Sequence, residues 1–212
     1  IKESPLAKYI NSPETEFYKK GRTVFNLDRA KALRSETNEA VIVEGYMDVV
    51  SLYAKGIKNV ISNSGTALTE TQIELVWKFF SSPIICLDGD QSGQNAALRI
   101  AEKLLMLINE NNKIYFSILP KGDDPDDFVK KNGKEKFVEF LKSKKIIQSY
   151  IWDVYLSEVD ANNPFEISKF EKKIKSACYG IKDEVLRKYI LEDFLEKLRN
   201  LTPIQNYKKS FT

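Results

Sequence analysis

The chain has 212 residues, with 33 Lys and Arg against 30 Asp and Glu, two Cys, two Met and no His. That length accommodates one or two domains with a sizeable core, and 42% hydrophobic with 30% charged residues is an ordinary globular composition. Without histidine, Ser-His-Asp and Cys-His triads, HExxH zinc sites and facial iron triads are excluded within this chain, which leaves carboxylates, Lys, Arg, hydroxyls and backbone, together with a metal ion.

The first 35 residues carry 8 basic and 4 acidic groups and contain a predicted helix over 27–35. Val41-Ile42-Val43 then reads as a short β-branched strand, followed by an apolar-periodic stretch from Tyr46 to Ala54 and a stop at Gly56. Asn59-Val60-Ile61 is a second strand leading to a loop with Gly65. Thr69 and Gln72 form an N-cap and capping-box pair opening a helix to about Phe80. Pro83 starts a buried-type strand, Ile84-Ile85-Cys86-Leu87, and residues 92–110 have helical spacing. The fourth strand, Ile114 to Leu119, is stopped by Pro120 and Gly122. Strands separated by helices of this length imply a parallel sheet covered on both faces.

Beyond Gly133 no strand is predicted, and residues 134–143, 146–159, 166–179 and 183–199 read as amphipathic helices. The expected organisation is therefore a basic N-terminal segment over 1–35, an α/β unit over 36–133 and a helical subdomain over 134–212. Charge follows the same division. The middle segment 36–129 carries 7 basic and 14 acidic groups, whereas 130–212 carries 18 basic and 12 acidic. An acidic centre with basic flanks suits a metal site beside a polyanion channel, although Lys and Glu also coat ordinary solvent faces. Two cysteines 92 residues apart give no CxxC knuckle, which points to a reducing, cytoplasmic compartment. No apolar run approaches the ~20 residues that span a bilayer, and no membrane partner is expected. The chain starts without Met and in mid-pattern, so it is read as an excised fragment.

Ligands of open parallel sheets bind beyond the carboxyl ends of the strands, and acids follow three of the four predicted strands. Glu44 follows the first, Asp88-Gly89-Asp90 the third, and Asp123, Asp124, Asp126 and Asp127 the fourth. Asp48 lies one helical turn after Glu44. So many carboxylates in one crevice repel one another without cations, and oxygen-only ligands call for Mg²⁺ or Mn²⁺. Two such ions can clamp the attacking and leaving oxygens of phosphoryl transfer. A lone DxD carries little weight, and the Asp-Asp-Pro-Asp-Asp run also reads as a helix-start cap. Three acidic strand ends in one sheet favour the shared metal site.

Together these residues resemble the Toprim fold of bacterial primases, topoisomerases and some nucleases, whose signature is a Glu after the first strand and a DxD after the third. More narrowly, Val43-Glu44-Gly45-Tyr46-Met47-Asp48-Val49 is similar to the EGYMDV signature of the bacterial DnaG-type primases. So are Gly65-Thr66-Ala67-Leu68-Thr69, Asp88-Gly89-Asp90-Gln91-Ser92-Gly93 (with Ser for the usual Ala) and Gly122-Asp123-Asp124-Pro125-Asp126. Upstream, Asn11-Ser12-Pro13-Glu14-Thr15 and Lys19-Lys20-Gly21-Arg22 resemble the NSPET…KGR stretch. The resemblance runs from residue 1 to about 150, beyond which only helical character matches.

The resemblance implies an α/β Toprim fold with a mostly parallel sheet of about four strands flanked by helices, followed by a C-terminal helical subdomain. It implies that Glu44 binds metal or shuttles a proton, that Asp88 and Asp90 are metal ligands, and that Asp48, Asp124 and Asp126 complete the cluster. Lys20, Arg22 and Lys31 would belong to a basic ridge contacting template or nucleotide, although the residues taken alone favour a solvated helix face. Gly65 and Thr66 read either as a nucleotide-contacting loop or as a plain β–α turn. The implied activity is metal-dependent RNA primer synthesis on single-stranded DNA from ribonucleoside triphosphates, with Mg²⁺, or Mn²⁺ as substitute. The family's zinc-binding domain and the C-terminal domain that engages the replicative helicase have no counterpart here, so no zinc is expected and the isolated fragment should prime weakly or not at all. Competing readings are another Toprim enzyme, such as a nuclease or topoisomerase fragment, and a non-catalytic nucleic-acid-binding module.

Overall fold

A computed structural model of the chain describes residues 14–16, 18–63 and 67–201. Four parallel strands form its centre: β1 (Val41–Val43), β2 (Val60–Ser62), β3 (Ile84–Leu87) and β4 (Tyr115–Ile118). A fifth, β5 (Lys145–Ile146), pairs antiparallel with β4, giving the order β2-β1-β3-β4-β5. The sequence pattern does not reveal β5. Two residues show no alternation of their own, and this strand exists only because the exposed edge of β4 accepts it.

The strands are mostly apolar, with buried Ser62 and Ser117 as exceptions, because both faces of the sheet are covered. In β3 the period of two is explicit: Ile85 and Leu87 join one core, Ile84 and Cys86 the other. The second core is closed by α2 (Tyr46–Ala54) and α5 (Pro125–Lys142), through Val49, Leu52, Phe128 and Phe137. The first core is larger and takes α3 (Glu70–Trp77) and α4 (Gln91–Leu105), as well as the one-turn α1 (Leu27–Ala30). Three further helices belong to it: α6 (Ile147–Leu156), α7 (Pro164–Tyr179) and α8 (Glu184–Leu201). Residues 134–201 therefore share their core with the sheet. Phe116 of β4 stacks on Tyr150 at 4.6 Å, and Trp152 meets Phe170 at 5.0 Å and Phe194 at 5.4 Å. The expected boundary at 133/134 falls inside α5, at a kink where Gly133 takes φ 83°.

The order of the strands places a site. From β1 the chain crosses outward through α2 to β2, then returns through α3 to β3 on the other side of β1. Strand order thus reverses between β1 and β3, and loops leaving their carboxyl ends part in opposite directions to open a crevice. Glu44 and Asp88 are the first residues beyond those two ends.

Candidate active site

Each acid at the crevice is fixed by the turn that carries it. Glu44 leaves β1 exposed, and Gly45 starts α2, where the Asp48 carboxylate accepts the Gly45 N–H at 3.1 Å. This bond closes the first turn of α2 and holds Asp48 back toward β1. Beyond β3 the carboxylate of Asp90 caps α4, accepting the Gly93 N–H at 2.6 Å, while Asp88 stays on the crevice side. Asp124 likewise caps α5, accepting the Asp127 N–H at 2.7 Å, with Pro125 in the first turn.

The loops after β3 and β4 are pressed together. Gly89 donates its N–H to the Asp123 carbonyl at 3.2 Å. A Cβ on Gly89 would lie 2.0 Å from the Pro120 carbonyl oxygen and 2.4 Å from that of Leu119. One on Gly93 would lie 2.4 Å from the Asp88 carbonyl oxygen. The two glycines are thus required by backbone contact, at negative φ, while Gly122 makes the preceding turn at φ 88°. Their absent side chains bring the acids of β3 and β4 into one crevice.

The electrostatics record that convergence. Burial, then the charges of Glu44, Asp48, Asp124 and Asp90, push Asp88 up to about 7. Burial also raises Asp48 to about 6; the Gly45 bond opposes the rise, and the charges of Asp124, Asp126 and Glu44 add to it. Glu44 is raised by partial burial of its carboxyl and by Asp90. Behind them the buried Cys86 thiol is pushed up by burial and by the charges of Asp88 and Asp48, so it stays protonated. Five carboxylates, Glu44, Asp48, Asp88, Asp90 and Asp124, therefore share one field.

Asp126 stands at the margin of this group. It accepts a hydrogen bond from Ser51 of α2 and pairs with Lys130 at 2.5 Å, while Asp123 pairs with Lys131 at 2.6 Å. Sequence reasoning does not single out Ser51, Lys130 or Lys131; the i,i+4 spacing of Asp126 and Lys130 is the signal it offers. Beside Glu44 opens a cleft of about 410 Å³ with an apolar floor that includes Ile42, Ile85 and Leu87, and with Arg99 and Lys103 of α4 on its wall.

Among the described residues, no three of these carboxylates are gathered closely enough to hold an ion as they stand. The donor chemistry nonetheless fits a hard divalent cation. All donors are oxygens, and Lys130 and Lys131 pair with Asp126 and Asp123 at the margin rather than with Glu44 or Asp88. Such ions commonly take one or two carboxylates and keep water.

These shifts predict a pH dependence. Asp48 and Asp88 bind protons more tightly in the folded than in the unfolded chain, so between pH 3.8 and about 7 the native state carries more protons than the unfolded chain does. Their contribution to stability is therefore full below pH 3.8 and is lost through pH 6–7. In thermal melts without divalent ions, these two groups should lower the melting temperature between pH 5 and pH 8. Added Mg²⁺ should raise it more at pH 8 than at pH 5; an equal effect at both would contradict the placement of these carboxylates.

The basic residues divide. Lys20 and Arg22 lie in a 3-10 turn, Lys20–Arg22, whose following segment runs along the outer strand: Phe25 exchanges backbone hydrogen bonds with Ser62, and the Asn26 side chain donates to the Val60 carbonyl at 2.8 Å. The ring of Phe25 meets that of Tyr46, the residue after Gly45, at 6.2 Å. The turn thus stands at the carboxyl edge of the sheet. Lys31 does not join it: its turn, Lys31–Leu33, leads away toward the opposite edge, where Leu33 lines a cavity with Gly56, Lys58 and Asn59. Gly65 and Thr66, like Asn11 to Pro13, lie outside the described residues.

A parallel sheet with carboxylates at the switch point and glycine-tight acidic loops defines a Toprim-like unit, and the Toprim-like family profile matches residues 41–129. The chain is 35% identical over 208 residues to the DNA primase of Rickettsia felis, covering 98% of this chain and 35% of that protein. It superposes on the E. coli primase catalytic core with a TM-score of 0.83 at 33% identity, covering 91% of this chain and 61% of that one. A DnaG primase catalytic domain bound to ssDNA matches at TM-score 0.81 and 32% identity, with the same coverages of 91% and 61%. The chain is thus similar over nearly its whole length to part of the catalytic core of bacterial DnaG-type DNA primases, with a Toprim-like unit over residues 41–129. It spans about a third of the length of the curated relatives it matches. Among the described residues no helix is long and apolar enough to cross a membrane.

Proposed function

We propose that this chain carries the catalytic centre of a primase, joining ribonucleotides into RNA primers on single-stranded DNA by metal-dependent nucleotidyl transfer. The observation that supports it most is the meeting of Glu44 and Asp88 at the switch point, in one field with Asp48, Asp90 and Asp124. Glu44, Asp88 and Asp90 are the catalytic acids; Asp48, Asp124 and Asp126 complete the cation site. Asp126 does so from its margin, since Ser51 and Lys130 already engage it. Mg²⁺, with Mn²⁺ as substitute, supplies charge neutralisation on the triphosphate when bound.

In this reaction a 3′-hydroxyl oxygen bonds to the α-phosphorus of a ribonucleoside triphosphate, the α–β phosphoanhydride bond breaks, and pyrophosphate leaves with its electron pair. Glu44, open to the crevice and raised in proton affinity by partial burial of its carboxyl, accepts the hydroxyl proton. Asp88 and Asp90 would hold the cation, which would neutralise charge on the phosphates, and Gly89 keeps the loop that carries them packed against the β4 loop. Lys20 and Arg22 hold template or primer phosphates at the neighbouring edge. The ssDNA bound to the related catalytic domain favours the same class of partner here. Residues 1–35 act as the basic segment and 36–133 as the Toprim unit; of the expected region 134–212, the described residues 134–201 serve as its helical support. In a longer protein, further domains contact the replicative helicase in the cytoplasm.

The test is a radiolabelled primer-synthesis assay on single-stranded DNA with ribonucleotides and Mg²⁺, using the chain joined to the rest of the catalytic core. Template-directed products that vanish in Glu44→Gln are expected. DNA cleavage with Mn²⁺ in the absence of nucleotides, without primer synthesis, would establish the nuclease reading instead.

A further inference from the structure

We infer that Gln72, a fully buried side chain on α3, is the positioning residue that sets the Lys20–Arg22 turn at the edge of the active site. Gln72 is 0% exposed, and a buried amide must satisfy its donors and acceptor within the protein. Its side-chain N–H groups donate to the carbonyls of Lys20 at 2.9 Å, Thr23 at 2.8 Å and Asn63 at 3.3 Å. Its oxygen accepts the Thr69 N–H at 2.9 Å. One side chain therefore bridges three stretches of chain: both ends of the basic turn, the exit from β2 and the start of α3.

Thr69 completes the clasp from the same helix start. Its hydroxyl donates to the Gly21 carbonyl at 2.6 Å and accepts the Gln72 N–H at 3.1 Å. Three features of the turn, the carbonyls of Lys20, Gly21 and Thr23, thus end on two residues at the start of α3. The turn's own bonds are few: Arg22 and Thr23 donate to the carbonyls of Lys19 and Lys20, and the Thr23 hydroxyl to that of Lys19. Nothing within so short a 3-10 turn fixes its direction; the Phe25–Ser62 pairing anchors the chain just after it, and the clasp holds the turn itself. The chemistry of Gln72 is specific to this task, because a carboxylate at the same place turns three donor contacts into three repulsions against carbonyl oxygens.

The inference rests on Lys20 and Arg22 contacting nucleic acid, and its test separates the two ideas. Binding of a fluorescein-labelled oligothymidylate to the full chain is measured by anisotropy over a range of salt concentrations. Replacing both Lys20 and Arg22 by Ala is expected to lower the salt slope by about 2, one for each phosphate left without its cation. Gln72→Glu, with both cations intact, is expected to lower it by about 1 to 2, and to add little when combined with the double replacement. Mn²⁺ affinity at the acidic crevice should be unchanged, and hydrogen exchange should rise over residues 19–23 but not in β1 or β3. Thr69→Ala, which removes the Gly21 hydrogen bond and the cap on the Gln72 N–H but leaves the Gln72 side-chain contacts to Lys20 and Thr23, gives a weaker version of the same pattern if Gln72→Glu fails to fold. If the double replacement lowers the slope while folded Gln72→Glu and Thr69→Ala do not, the positioning role is overturned. If the double replacement itself has no effect, the nucleic-acid reading of the turn falls, and the positioning role with it.

Discussion

Asp88→Asn is expected to weaken Mn²⁺ binding at least ~100-fold and to abolish primer synthesis while leaving the metal-free fold intact. Loss of a partner one shell removed from a metal typically costs ~10–100-fold in affinity, and Asp88 lies at the centre of the carboxylate field. The accompanying stability change has the opposite sign to that of an ordinary damaging substitution. Asp88 is held at about 7 by burial and by four neighbouring acids, so its charged form works against folding at pH 8. Asparagine keeps the shape and removes that charge, so the metal-free variant should melt at the same temperature or higher at pH 8, and gain nothing from added Mg²⁺. Calorimetric titration with Mn²⁺ and paired melts with and without divalent ions measure both effects. Wild-type Mn²⁺ affinity in the variant would remove Asp88 from the site.

Gly89→Ala should be the most damaging glycine-to-alanine change among the described residues. Its Cβ would lie 2.0 Å from the Pro120 carbonyl oxygen, a backbone atom that cannot rotate away, so the β4 loop must move as a body. Overpacking of mobile side chains costs about 1–3 kcal/mol, and a backbone collision of this depth should cost at least ~3 kcal/mol. The same displacement carries Asp123 and Asp124 away from Asp88, because the Gly89 N–H to Asp123 carbonyl bond joins the two loops. Urea denaturation and Mn²⁺ titration should therefore fail together in this variant. Gly122→Ala makes the contrast: its φ of 88° strains a side chain, yet no atom lies within 4 Å of the added carbon. Intact stability and Mn²⁺ affinity in Gly89→Ala would show that the loops are not locked.

The strands and helices that bury a periodic face were legible in the sequence. Ile84 to Leu87 alternates between two cores, and Thr69 with Gln72 forms the predicted helix start. The acids at the strand ends were legible because the carboxyl edge of a parallel sheet is where loops converge. What stayed hidden was pairing across distance. β5 borrows its conformation from the edge of β4, and no local pattern announces it. Gln72 was visible as half of a capping box, but its reach to Lys20 and Thr23, about fifty residues away in sequence, belongs to the folded chain. Lys31 resembled its basic neighbours in sequence, yet the turn after α1 leads it away from them. Asp123 and Asp126 looked equivalent to Asp124 in the acidic run, while Lys131 and Lys130 engage them in the fold.

Anomalous diffraction at the manganese edge from Mn²⁺-soaked crystals tests most directly whether this carboxylate crevice is a cation site. The expected result is a peak at the carboxyl ends of β1 and β3, within bonding distance of at least one of Glu44 and Asp88. A peak confined to the outer acids of α5, or none at saturating Mn²⁺, would contradict the assignment of the crevice as the catalytic centre.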